Sequence, residues 1–174
     1  MSLFPIKQLA GLVLATTAVL TALPAAGQCV RGEKTFGVRA GYVSRNNTAS
    51  GGIAFSYAFS RHVRIAPAAD IFFRNKDQDA LSVSVDMHFP FRAGSDRASF
   101  YPLAGVNYIS WGRHGKDAES NKDVTNHTNC FGLDAGCGFE FRATGSLKLS
   151  LEARYTLIKH FPTAQVAAGI AYVF

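Results

Sequence analysis

The segment Ala164-Gln165-Val166-Ala167-Ala168-Gly169-Ile170-Ala171-Tyr172-Val173-Phe174 decides how the rest of the chain is read. Val166, Ala168, Ile170, Tyr172 and Phe174 fall on one side of a period of two; Gln165, Ala167, Gly169, Ala171 and Val173 fall on the other. Alternate residues of a strand point to opposite faces, so this period predicts a strand with an apolar face that ends in aromatic rings. Its length matches the roughly 9–11 residues that a tilted strand needs to cross a bilayer. Tyr172 and Phe174 lie together at one end, where amphipathic rings mark a membrane boundary.

Seven earlier segments alternate in the same way: 35–43, 52–59, 63–74, 81–91, 100–111, 130–141 and 147–157. In the segment before the last, Leu147, Leu149, Leu151, Ala153 and Tyr155 oppose Lys148, Ser150, Glu152, Arg154 and Thr156. In the fourth, Leu81, Val83, Val85, Met87, Phe89 and Phe91 oppose Ser82, Ser84, Asp86 and His88. One face is large and apolar, whereas the other mixes Gly, Ala and Ser with charges. A soluble barrel fills its interior with the large apolar residues. Here glycine accompanies the charges, so the crowded inner side is the polar one and lipid surrounds the rest. The fold class is all-β: an eight-stranded antiparallel up-and-down transmembrane β-barrel after a cleaved signal peptide.

The leader is read from Lys7, the apolar run Leu9–Leu23 and the small residues of Pro24-Ala25-Ala26-Gly27. That run is too short for a transmembrane helix and has the three parts of a secretory signal. Residues 1–27 are therefore the expected signal peptide, with cleavage after Gly27 or, alternatively, Ala26, and residues 28–174 the expected barrel. Gln28 precedes Cys29 where a lipoprotein signal wants a small residue, which speaks against lipidation. The formal charge of +6 loses only Lys7 with the leader. What remains is one domain by size, with no basic tail of the kind that binds nucleic acid. A hydrophobic content of 48% is ordinary; the alternation, not the composition, points to a membrane.

An even strand count puts both termini on one side, and that side has the shorter expected connections: 60–62, 92–98 and 142–145. The opposite side carries 44–51, 75–80, 158–163 and the long polar 112–129. Short periplasmic turns with longer outer loops follow the transmembrane-barrel rule. With the strand pattern, Tyr101-Pro102-Leu103-Ala104-Gly105, Ser150-Leu151-Glu152-Ala153-Arg154-Tyr155 and the terminal Phe174, the chain resembles the small outer-membrane barrels of the OmpA transmembrane domain, OmpX and Ail type, the porin-family outer membrane β-barrel domain. The resemblance implies the bacterial outer membrane, both termini periplasmic, and outer-membrane lipids and lipopolysaccharide as surroundings. It also implies that Tyr172 and Phe174 form the assembly signal read by the barrel-assembly machinery during insertion.

The inner faces collect Arg39, Arg64, Asp70, Arg74, Asp86, Asp134, Glu140, Lys148, Glu152 and Arg154. Eight strands leave room only for side chains, so these residues form an interior charge network and no wide pore. Facing is preserved across the 142–145 turn if opposed numbers sum to an even value. Setting Arg142 opposite Ser146 puts Glu140 opposite Lys148 and Asp134 opposite Arg154. The same logic around 75–80 sets Asp70 opposite Asp86, which needs a cation reaching across the lumen.

The remaining candidates are weaker. Cys130 and Cys137 point to opposite faces of one strand, and Cys29 belongs at the other end of the barrel from Cys130, so no intramolecular disulfide is expected. His114 and His127 share the long loop with Asp117, Glu119 and Asp123, but their spacing fits no compact metal motif. Arg113, Lys116 and Lys122 in the same loop suit lipopolysaccharide headgroups, although acidic neighbours reduce the pull. Close interior carboxylates could divide acid and base roles between them, but so narrow a lumen gives a substrate no access to them. Similar barrels include lipid A deacylases and acyltransferases; the best nucleophile and base here, Ser110 and His160, lie on segments five and seven with the sixth between them. The expected function is a non-enzymatic integral outer-membrane barrel, without cofactor or metal. Its role is structural or one of surface interaction: envelope integrity, binding through outer loops, or an accessory subunit with a protein partner through loops or wall. The alternative is a lipid A-modifying enzyme.

Overall fold

The computed structural model describes residues 29–45, 47–75, 78–116, 123–158 and 162–174; the expected signal peptide lies outside them. The strands are β1 Lys34–Val43, β2 Thr48–Ala58, β3 Arg64–Asn75, β4 Gln78–His88, β5 Phe91–Ala93, β6 Ser95–Lys116, β7 Asp123–Thr144, β8 Leu147–Ile158 and β9 Thr163–Val173. Neighbours pair antiparallel, and β1 closes on β9 with Val38 opposite Ile170. β4 pairs directly with β6, so the three-residue β5 is an appendage and the wall has eight strands. Closure leaves no unpaired edge within lipid, as an apolar surround requires.

The period of two translates directly into burial. Val38, Ile53, Val106, Leu133 and Leu151 are 49–59% exposed on the outer wall, while Arg64, Asp70, Asp86, Asp134 and Arg154 are at most 4% exposed within. Among the described residues no helix is long and apolar enough to cross a membrane; the strands do so. The buried apolar cluster, Val43, Phe72, Ala80, Ile109 and Ile158, also lies inside the barrel, at the end away from the termini. Trp111 and Cys130 pack against it.

Several expected boundaries move; the second strand begins at Thr48 rather than 52 and the fourth at Gln78 rather than 81, which shortens the expected 44–51 and 75–80 connections. The fourth strand ends at His88 rather than 91, because Pro90 has no amide hydrogen for the ladder and the Phe89 amide bonds to the Pro102 carbonyl at 3.0 Å. The chain then reverses at Gly94, whose φ of 74° suits glycine, so the expected 92–98 turn is a small β5–β6 hairpin. The expected 112–129 loop is largely strand: β6 and β7 each run 22 residues and pair out to Lys116–Asp123. Pairing with β4 stops at Arg113 and with β8 at Gly132, so this hairpin rises beyond the wall. Polar composition suggests a loop, but a backbone ladder needs no apolar side chains, and Val124, Thr125 and Thr128 favour strand.

A charge-paired lumen as the candidate functional site

Inward-facing charges are brought together by the register, in two layers. Nearest the termini, Glu33 lies buried just ahead of β1 and pairs with Lys148 of β8 and Arg142 of β7. Lys148 also reaches Glu140 at 3.2 Å, and Arg64 of β3 crosses the lumen to Glu140 at 2.7 Å. The Arg64 guanidinium lies 5.0 Å from the Tyr101 ring centroid, and His88 stacks on that ring at 4.6 Å. Nη2 of Arg64 faces Nδ1 of His88 at 3.1 Å. Because the guanidinium can only donate, Nδ1 accepts.

The deeper layer is centred on Arg154. Its guanidinium meets Asp86 at 2.7 Å, Glu152 at 2.8 Å and Asp134 at 3.1 Å, and it donates to Oγ of Ser84 at 2.7 Å. Arg39 of β1 reaches both sides of the barrel: its Nε donates to Asp70 at 2.8 Å and its Nη1 lies 3.3 Å from Glu152. Two guanidiniums thus face four carboxylates. Neutral donors share the load: Tyr101 donates to Glu152 at 3.1 Å, Thr156 to Asp134 at 2.6 Å and Asn107 to Asp134 at 3.0 Å. Asp86 has no such neutral donor; its carboxylate oxygens meet Arg154 as an ion pair without hydrogen-bond alignment. Tyr101 can sit centrally because Gly138 faces it: a Cβ there would come within 2.3 Å of the ring.

The facing expected from sequence is therefore present, with a different register. Arg142 pairs with Lys148, not Ser146, Glu140 with Ser150 and Asp134 with Thr156. The turn pairs Thr144 with Leu147, and the one-residue irregularity between Arg142 and Thr144 leaves the register two residues from the expected one, which preserves the face and converts expected opposite pairs into diagonal ones. Likewise Asp70 opposes Ser82, while Asp86 opposes Ala66, so the two carboxylates are held by different arginines. Arg74 lies exposed beyond the irregularity at Phe72–Asn75 and stands outside the two layers. Tyr101, His88 and Glu33 are additions to the expected network. Tyr101 and His88 share inward parity with Asn107 and Asp86, a usable signal; Glu33 precedes the first alternating segment, so periodicity could not place it.

A cavity of about 80 Å³ separates the layers, lined by Arg39, Arg64, His88, Tyr101 and Glu152 among others. At roughly 30 Å³ per water molecule, a space of this size is far below the size of a lipid or sugar substrate. At the far end the apolar cluster caps the lumen, with Arg45 over the Trp111 ring at 5.6 Å. Burial lowers the Arg45 pKa from its ordinary value.

The other candidates are dispersed. Ser110 is half-buried on β6 opposite Asn129, and His160 lies outside the described residues. His127 is exposed on β7. Asp117 and Glu119 lie outside the described residues, as do the side chains of His114 and Asp123. Among the described residues no group of three His, Cys, Asp or Glu is arranged to hold a metal ion. Cys29 is buried at the terminal end, Cys130 half-buried near the cap and Cys137 exposed on the wall, all as free thiols. Tyr172 and Phe174 project from the outer wall, with ring centroids 6.2 Å apart.

A closed antiparallel barrel with an apolar exterior and an ion-paired interior defines a transmembrane β-barrel protein. The chain belongs to the outer membrane protein beta-barrel domain family, whose model matches residues 13–174. No curated protein sequence matches it. Among solved structures it is similar to the N-terminal β-barrel domain of Pseudomonas aeruginosa OprF, with a TM-score of 0.68 at 10% identity, covering 83% of this chain and 98% of that one. Neisserial surface protein A gives 0.66 at 17% identity, covering 82% and 97%. Ail of Yersinia pestis gives 0.60 at 16% identity, covering 83% and 100%. At such identities the likeness is one of fold.

Proposed function

We propose that this chain is a non-enzymatic outer-membrane barrel with a structural or surface-interaction role. The observation that carries this reading is the lumen, filled by two ion-paired layers and capped by Val43, Phe72, Ile109 and Ile158. A filled interior offers neither a wide pore nor a substrate path, which leaves the outer wall and the projecting β6–β7 hairpin as working surfaces. Both termini face the periplasm in this reading, supported by the even strand count and the longer hairpin at the opposite end. Lipid and lipopolysaccharide surround the wall, and Tyr172 and Phe174 present the final strand to the barrel-assembly machinery.

Ligand chemistry at the loop end is open to direct assay. Ail has been solved in complex with the heparin analogue sucrose octasulfate, so sulfated polysaccharides belong in the first ligand panel. The deciding experiment is gentle release of the native protein from outer membranes, followed by mass analysis of the complex and of lipid A. A stoichiometric protein partner would make it an accessory subunit; release alone or with lipid would direct attention to the loop end. Gain or loss of a lipid A acyl chain that depends on the protein would overturn the non-enzymatic reading.

A further inference from the structure

The barrel end that carries both chain termini has a lopsided charge. Arg31 and Lys34 lead into β1, Arg61 lies in the β2–β3 turn and Arg97 near the start of β6; all four are exposed. None of the four has a side-chain hydrogen bond or ion pair among the described residues. Arg92 stands on the same rim, paired with Asp96 at 2.9 Å. Asp96 is the one exposed carboxylate side chain on this rim among the described residues.

β1, β2, β3, β4 and β6 are consecutive around the wall, so the cations are spread along an arc of half the rim, from β1 to β6 on the opposite side. On the opposite arc Arg142 is turned inward to Glu33. Just inside the rim, Phe36, Phe59, Phe141, Tyr172 and Phe174 are 40–61% exposed on the outer wall, the position of rings at a bilayer interface. Lys34 shares the outward face of β1 with Phe36, two residues further out, which places its ammonium at headgroup level.

We propose that this arc is a docking surface for anionic phospholipid headgroups in the leaflet that it faces. Spaced cations without protein partners complement phosphodiester charge, and the aromatic band fixes their depth. The proposal rests on insertion of the barrel in a bilayer and not on what the loop end binds.

The test uses the full folded barrel in vesicles mixing phosphatidylglycerol with phosphatidylcholine, with the lipids retained after gentle detergent release identified by native mass spectrometry. Phosphatidylglycerol should be retained in excess over its share at low salt, and high salt should erase the excess. Combining Arg31→Gln, Lys34→Gln, Arg61→Gln and Arg97→Gln should remove it, each neutralised cation contributing at most about fivefold. Arg45→Gln with Arg74→Gln, at the opposite end, should leave it intact. Altered migration on boiling shows which variants are folded. An absent excess in the unaltered protein, an excess insensitive to salt, or a folded fourfold variant that keeps it would overturn the proposal. So would a fourfold variant that keeps its lipids and loses binding to soluble cell-wall fragments, which would assign the arc to an anionic polymer.

Discussion

Arg154 holds more of the interior than any neighbour, since Asp86, Glu152 and Asp134 all converge on its guanidinium. Removing it leaves Arg39 as the sole guanidinium for four buried carboxylates, the situation in which breaking a buried pair is most destabilising. Arg154→Met should therefore lower stability by about 3–5 kcal/mol. Asp86→Asn removes a charge from the side in excess and should cost under about 2 kcal/mol, since the desolvation of one ion is relieved. Urea unfolding of each variant in lipid vesicles, read by the single tryptophan, Trp111, gives both numbers. Equal losses would show that Asp86 and Arg154 act as an isolated pair. The composition of this layer is legible in the sequence, because Asp70, Asp86, Asp134, Glu152 and Arg154 all carry inward parity. Its pairing is not: the turn and the irregularity at Arg142–Thr144 together leave the register two residues from the expected one, which preserves every face, so parity alone cannot detect it.

Between residues and barrel stand two elements that periodicity handles unequally. The β6–β7 hairpin alternates well within the membrane and escapes periodicity where its composition turns polar, although the backbone ladder continues. The segment Cys29–Glu33 has no alternation to read, yet it folds across the terminal mouth of the lumen. The Cys29 amide donates to the Arg61 carbonyl at 3.3 Å, the Gly32 amide to Ala58 at 2.8 Å and the Ala58 amide to Glu33 at 3.0 Å. Glu33 anchors it through Lys148 and Arg142, and Cys29 is only 4% exposed. Glu33→Gln weakens charge-assisted bonds of roughly 1.5–3 kcal/mol, so local opening should become about tenfold or more frequent. Cys29 then serves as the reporter, through its alkylation rate in the folded barrel. Burial also pushes the Cys29 thiol pKa up from its ordinary value. The reactive thiolate is thus scarcer at a given pH than in free cysteine, and the rate should keep climbing above about pH 8.5, where free cysteine begins to level off. A rate as fast as that of free cysteine in the unaltered protein would mean that the segment does not cover the mouth.

At the scale of the whole barrel, the first and last strands must meet, and their pairing joins residues separated by nearly the full described chain, Thr35 with Val173 and Val43 with Gln165. Such distant contacts are reached late and leave open edges exposed until they form. Arg39 reinforces the closure from inside by linking β1 to Asp70 on β3 and Glu152 on β8. Phe174 contributes little to that interior, since it is 61% exposed on the outer wall, and the Lys34–Phe174 backbone bonds do not depend on its side chain. Phe174→Ser therefore separates assembly from stability. If the terminal ring is read during insertion, the variant should reach the outer membrane in clearly smaller amounts, while the fraction that assembles keeps its altered migration on boiling and unfolds within about 1 kcal/mol of the unaltered protein, as for an exposed substitution. Quantifying membrane-fractionated protein before and after boiling measures both. Unchanged membrane levels would remove Phe174 from the assembly signal; a large loss of stability in the assembled fraction would make the ring part of the closure itself.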